Sequence, residues 1–270
     1  MKALLRSLLN RFPLFKSGIK RLRSYFFPLC GASSNYVTLQ VSQVAAESAR
    51  LRNSWKNSAL PQKQRDLVDQ QLRQYSSGAQ VDVFDVFVLA LRSLPDLEID
   101  ASLLEVGCSS GFYSEVIKIA GLPIRYTGCD FSDSFIRLAM EKYPLTEFAV
   151  EDATNLHYPD NNFDIVVSGC CLLHIPEYVK GIEETARVAR SYAIFHRTPV
   201  VWGQPEQWYR KQAYGIESVE IHFNEPEFFA LLDKNDLKLV ATYTLSEESS
   251  DASRTYGHAN RTYVCRKKNS

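Results

Sequence analysis

Leu103-Leu-Glu-Val-Gly107-Cys-Ser-Ser-Gly111 is the stretch on which the fold turns. A short apolar run, Ser102 to Val106, reads as a strand. It enters a turn with two glycines four residues apart and opens into a helix over Phe112 to Ala120. A strand, a glycine turn and a helix start let backbone approach a ligand closely, because glycine has no Cβ and accepts positive φ. The spacing is not the G-x-G-x-x-G of dinucleotide enzymes.

Downstream the pattern repeats. Arg125–Cys129, Glu147–Val150, Phe163–Ser168 and Tyr192–His196 read as strands, alternating with helices over Ser132–Lys142, Val179–Val188 and Glu225–Leu232. Such alternation predicts βαβ units and a parallel sheet covered on both faces. Leu237–Leu245 and Thr262–Arg266 have only a turn-rich stretch between them and read as an antiparallel hairpin. The expected fold is therefore α/β: a doubly wound, mostly parallel seven-stranded sheet with an antiparallel closing strand, preceded by N-terminal helices.

Upstream, Val37 to Tyr75 reads as helices interrupted near Pro61, Ser76-Ser77-Gly78 as a break, and Val81 to Leu94 as a further helix. Three segments follow: an arm over 1–34, a helical cap over 35–100 and a catalytic domain over 101–270. The arm is basic and apolar, with Lys2, Arg6, Arg11, Lys16, Lys20, Arg21 and Arg23 ahead of the first acidic residue, Glu47. It lacks the long uncharged core of a secretory signal and the roughly 20 apolar residues of a membrane span. It is expected either to be flexible or to lie on an anionic membrane surface, which would put a cytoplasmic chain at the inner membrane face. The formal net charge is zero, so nothing in the whole points to nucleic acid. None of the six cysteines has CxxC spacing, so reduced core thiols are expected, with no metal site.

Two carboxylates follow the glycine loop at informative distances. Asp130 ends Tyr126-Thr-Gly-Cys-Asp, about 20 residues on, where a carboxylate can accept from both ribose hydroxyls. Asp152, in Glu151-Asp-Ala153-Thr, follows the next strand, where a carboxylate can accept from an adenine amino group. A fourth element, Phe163-Asp-Ile-Val-Val-Ser168-Gly-Cys170-Cys-Leu-Leu-His174, supplies another strand end.

In this order and spacing, over roughly Leu103 to Arg190, the elements resemble the class I, Rossmann-like methyltransferases that use S-adenosyl-L-methionine (SAM) and release S-adenosyl-L-homocysteine (SAH). The resemblance implies that Glu105, Gly107 and Gly111 shape the methionine pocket and that Asp130 holds the ribose. It places Asp152 and Ala153 at the adenine, Ser168 to Cys170 as the floor, and Cys108 and Phe131 beside them. Strand four ends in Ser-Gly-Cys-Cys rather than the Asn/Asp-Pro-Pro-Tyr/Phe of amino-methylating nucleic-acid enzymes, which argues against base methylation.

For the acceptor, His174 is a candidate general base. His196 and Arg197, leaving strand five, are candidate substrate contacts, and Arg197 suits a phosphate or carboxylate. The polar and aromatic run Trp202 to Glu225, with Trp208, Tyr209, Lys211, Tyr214, Glu220 and His222, reads as a lid or substrate wall. The expected reaction is methyl transfer to a small-molecule or glycan-type acceptor at oxygen. The competing readings are transfer to nitrogen or carbon and a nicotinamide-dependent oxidoreductase of similar fold. Oligomeric state is not legible in the sequence.

Overall fold

A computed structural model describes residues 35–95, 99–249 and 255–268. The arm over 1–34, with the membrane contact expected of it, lies outside the described residues. Ten strands occur among them: β1 (Asn35–Thr38), β2 (Ala101–Val106), β3 (Ile124–Asp130), β4 (Glu147–Val150), β5 (Phe163–Gly169), β6 (Ala189–Trp202), β7 (Gln207–Ala213), β8 (Ile216–Asn224), β9 (Leu237–Ser249) and β10 (Gly257–Lys267). The helices are α1 (Val41–Leu51), α2 (Leu60–Ser76), α3 (Asp82–Arg92), α4 (Phe112–Ile119), α5 (Asp133–Lys142), α6 (Tyr178–Val188) and α7 (Glu225–Lys234).

Seven of the strands make the expected sheet. Its order is β4-β3-β2-β5-β6-β10-β9; the first five are mutually parallel, and β10 joins β6 and β9 antiparallel as the closing hairpin. Alternate residues of the central strands enter different cores. Leu103, Ile165, Val167 and Ile194 pack toward α3 and α4 with Phe84, Phe87 and Val116, whereas Leu104, Val106 and Val166 pack on the opposite face. Both faces are thus covered, which is why these strands read as nearly continuous apolar runs. Each such side chain contributes about 1.5–3 kcal/mol by leaving water.

Beyond His196 the structure departs from the sequence reading. β6 continues to Trp202 because β10 pairs along it from Tyr192 to Trp202, while β5 stops opposite His196. The edge left open past β5 is taken by β8, parallel at Val200–Phe223 and Val201–Asn224. The run expected as a lid is accordingly a β-hairpin, β7–β8, turned at Tyr214 and Gly215, both with positive φ. β1 adds to β7, so residues 35–38 are strand rather than helix. This three-stranded extension overhangs the carboxyl ends of the parallel strands. The helices expected over Val37 to Tyr75 are interrupted between Leu51 and Leu60, and Pro61 occupies the first turn of α2, where proline's missing N–H costs nothing.

Candidate active site

The order reversal at β2, flanked by β3 and β5, marks where an open α/β sheet receives its ligand. A cavity of about 230 Å³ opens there. Gly107, at φ +76°, leads the chain out of β2, and an added Cβ would overlap Cys171, coming 2.7 Å from its Sγ. The Gly107 and Cys108 N–H groups both donate to the Cys129 carbonyl, at 2.8 and 2.9 Å, tying the loop to the end of β3. Next in line, Asp130 accepts from the Ser109 N–H at 2.8 Å and the Ser132 N–H at 2.9 Å. Its carboxylate is thereby oriented before any ligand arrives, although burial raises its pKa despite both bonds. After β4, Asp152 accepts from the N–H and hydroxyl of Thr154 at 2.9 and 2.7 Å, fixing the turn that carries Ala153. Carboxylates at two successive strand ends, beside a glycine with no room for a side chain, fit an adenosyl group with its methionine tail over Gly107.

Glu105 is different in character. It is 1% exposed, accepts the Tyr126 hydroxyl, and sits under Gly169, where an added Cβ would come 2.5 Å from its Oε1. Burial pushes its carboxyl up to about 8, so at neutral pH it is mainly a protonated, uncharged donor.

A cover comes from the N-terminal segment. Lys56 lies 3.7 Å above the Phe131 ring, the Gln64 side chain accepts from the Ser109 hydroxyl, and Trp55 packs on His174 with centroids 4.6 Å apart. Trp55, Gln64 and Arg52 line the cavity with Phe131.

The far half of the cavity is made by the ends of β5 and β6 and by the β7–β8 hairpin. His174 Nδ1 lies 2.7 Å from the Val219 carbonyl, so the proton is assigned to Nδ1 and the Nε2 lone pair remains available. Burial lowers its pKa to about 4, leaving the ring neutral. Arg197, Cys170, Tyr214, Ala213, Ile216 and Ser218 complete this half with Lys211, which is paired to Glu220 at 2.5 Å. Glu220 also accepts from Tyr36 at 3.1 Å and lies 3.1 Å from His222 Nε2; against the raising effect of burial, His222 and Lys211 hold its carboxyl down at about 2. Of the seven non-glycine residues with positive φ among the described residues, four, Ser109, Cys170, Arg197 and Tyr214, line this one cavity. Backbone strain of this kind, roughly 1–3 kcal/mol per residue, concentrates at functional sites.

Of the residues singled out from the sequence, Glu105, Gly107, Asp130, Phe131, Asp152, Ala153, Cys170, His174 and Arg197 line the cavity together. Four do not. Cys108 is fully buried behind the loop, its sulfur packed against Gly128, and Ser168 is buried in β5. Gly111, at φ +70°, serves the turn: an added Cβ would come 2.5 Å from the Phe148 ring. His196 does not line the cavity. It lies within β6 rather than at its end, 1% exposed, with Nε2 2.8 Å from the Tyr113 hydroxyl and Nδ1 2.8 Å from the Thr262 hydroxyl. Trp208 and Tyr209 belong to β7 but are not in the cavity wall, whereas Lys211 and Tyr214 are. Trp55 and Gln64 carry no motif, and only the three-dimensional arrangement reveals their place.

Comparison with known proteins agrees with this geometry. Residues 104–196 match the family model described as a methyltransferase domain. The chain is 30% identical over 95 residues to a demethylmenaquinone methyltransferase of Paenarthrobacter aurescens, covering 35% of this chain and 37% of that protein. It is 32% identical over 120 residues to the enzyme of the same name from Bacillus licheniformis, covering 42% of this chain and 50% of that protein. The matches thus span half or less of these relatives. Among solved structures, 1,6-didemethyltoxoflavin-N1-methyltransferase of Burkholderia thailandensis, with its substrate and SAH bound, superposes with a TM-score of 0.57. That similarity, at 17% identity, covers 89% of this chain and 97% of that one.

Proposed function

We propose that this chain, which carries a class I, Rossmann-like SAM-dependent methyltransferase domain, moves a methyl group from SAM to an oxygen of a small-molecule acceptor. The observation that carries this reading is the division of one cavity into two chemically distinct halves. The half formed by β2, β3 and β4 presents Gly107, Asp130 and Asp152, a set suited to a nucleoside and its aminoacyl tail. The half formed by β5, β6 and the β7–β8 hairpin presents a neutral imidazole and a guanidinium.

SAM, when bound, supplies an electrophilic methyl group on a sulfonium. The chain's own work is to place the acceptor in line with it and to keep water out, since orientation supplies much of the acceleration. Asp130 and Asp152 would anchor the adenosine and Gly107 would leave room for the methionine tail, with Cys170 and His174 lining the neighbouring half of the cavity. With Nδ1–H committed to Val219, His174 Nε2 can accept a hydrogen bond from a donor group on the acceptor and so help to orient it. Trp55 closes over that imidazole and limits access of water.

Incubation with methyl-labelled SAM and size-fractionated lysate tests the proposal. Label is expected in the low-molecular-weight fraction, in a product that keeps it through acid and releases it as iodomethane on ether cleavage, or as methanol on ester hydrolysis. Label confined to protein or nucleic acid would refute it. The basic arm is proposed to hold the enzyme at an anionic membrane surface. Co-sedimentation with anionic liposomes should then require residues 1–28, and equal pelleting with and without them would remove that role.

A further inference from the structure

Among the described residues, two arginines line the cavity without a carboxylate partner: Arg52, exposed at the cover, and Arg197, half-buried beside the ends of β5 and the β7–β8 hairpin. Arg65, Arg187 and Arg261, other arginines at least partly buried, each sit within hydrogen-bond distance of a carboxylate: 2.7 Å from Asp69, 2.7 Å from Glu184 and 2.5 Å from Glu225. Lys211, on the same cavity wall, is neutralised by Glu220. Arg197 has no such partner among the described residues. Its guanidinium is surrounded by Tyr113, Tyr214 and Cys170, with His196 adjacent in the chain and its field reaching His174. Glu105, which lines the same cavity, is held largely protonated and supplies little counter-charge. Half-buried in the cavity wall, Arg197 presents a positive charge there with no anion beside it. The fold holds Arg197 in a left-handed backbone conformation, φ +60°, within β6, one residue past the point where β5 stops opposite His196. An anionic ligand that completes the ion pair gives both the unpaired charge and the strained backbone a role.

Asp130 and Asp152, proposed to hold the adenosine, lie at the ends of β3 and β4, on the other side of β2 and β5 from β6. Arg197 therefore belongs to the acceptor half, with Tyr214 of the hairpin and His174. We infer that Arg197 binds an anionic oxygen of the acceptor, so that the substrate is an organic oxygen acid, a carboxylate or an acidic phenol or enol bound as its anion, and not a neutral alcohol or sugar. The inference rests on the methyl-transfer reading and narrows its acceptor class. The chemistry balances without a strong base. A lone pair of the acceptor oxygen forms the new O–CH₃ bond, the S–CH₃ bond breaks with its electrons going to sulfur, and the oxygen's negative charge cancels the sulfonium's positive one. No proton moves in this step, which suits a cavity whose imidazole is too weakly basic to ionise an alcohol.

The test uses full-length protein saturated with SAH, titrated by ligand-observed NMR with acid and amide pairs: benzoate and benzamide, indole-3-acetate and indole-3-acetamide, and salicylate and salicylamide. Acids are expected to bind about tenfold or more tightly than their amides, the scale of a charge-assisted hydrogen bond. Arg197→Met should abolish that preference and Arg197→Lys should keep part of it. The wild-type comparison stands even if a variant fails to fold. Acids binding no better than amides, including no binding by either, would overturn the inference, as would a preference that survives in Arg197→Met. A third arm separates the other source of a carboxylate, the methionine tail of the cofactor. If Arg197→Met weakens SAH but not 5′-methylthioadenosine, which lacks that tail, Arg197 serves the cofactor and the inference fails. Failure of wild-type protein to bind SAH at all would instead refute the methyl-transfer reading beneath it.

Discussion

Gly107→Ala should be among the most damaging conservative changes in the chain, for two separable reasons. At φ +76° an alanine pays the left-handed penalty of about 1–2 kcal/mol. Its Cβ would also overlap the Cys171 Cβ and come 2.7 Å from Cys171 Sγ. Neither the loop, held by two bonds to the Cys129 carbonyl, nor the strand end opposite can yield freely, so overpacking adds about 1–3 kcal/mol. The sum is roughly 2–5 kcal/mol, which in a domain of this size lowers the melting temperature by on the order of 10 °C. SAH affinity should fall as well, because the displaced loop carries Ser109 and with it an oriented bond to Asp130. Thermal denaturation with calorimetric SAH titration would measure both. Gly107→Ala with Cys171→Gly, compared with each single variant, isolates the overlap: the pair should couple favourably and leave only the conformational penalty. A Gly107→Ala protein melting within about 2 °C of wild type with unchanged SAH affinity would refute the reasoning.

Asp130→Asn should weaken SAH binding roughly 10- to 100-fold, about 1.5–3 kcal/mol for charge-assisted bonds to hydroxyls, while the fold survives; unchanged affinity by calorimetry would misplace the ribose. His196→Ala should have the opposite profile. It leaves the Tyr113 and Thr262 hydroxyls without their shared partner and opens a buried void, costing roughly 2–5 kcal/mol by denaturant titration with SAH affinity retained. The Glu105 carboxyl, near 4.5 when unfolded and pushed to about 8 when folded, keeps its proton in the native state across that window. Its contribution to stability is therefore full below pH 4.5 and lost as pH rises through 8, so wild type should lose more melting temperature between pH 6.5 and 8.5 than Glu105→Gln. Parallel curves for the two proteins would show that Glu105 ionises normally. His174 acts in the lower window, adding stability as pH rises from about 4 to its unfolded value of 6.5.

What the sequence made legible was whatever local backbone physics demands. Gly107 and Gly111 stand where φ is positive and a Cβ has no room, and the apolar runs at Leu103 and Ile165 are buried on both faces, so pattern and structure coincide there. His196 was misplaced because the end of a strand is set by its neighbours. β10 carries β6 six residues past His196, and nothing within Tyr192-Ala-Ile-Phe-His announces that pairing. The hairpin had a readable signal that was not used. Val219, Ile221 and Phe223 alternate after the Tyr214-Gly215 turn, a two-residue connection between strands. Trp55 and Gln64 reach the cavity only through the docking of a cover segment across long sequence separations, and no periodicity encodes that. Arg197 was legible as a candidate cation, but its lack of a carboxylate partner emerges only when its surroundings are assembled.

The account stands or falls on the donor. Isothermal titration of wild-type protein with SAH and, separately, with NAD measures it most directly. One SAH per chain with no detectable NAD binding is the expected result, because Asp130, Asp152 and Gly107 form a nucleoside-and-tail site without dinucleotide glycine spacing. NAD binding with no response to SAH would contradict the methyl-transfer reading at its root.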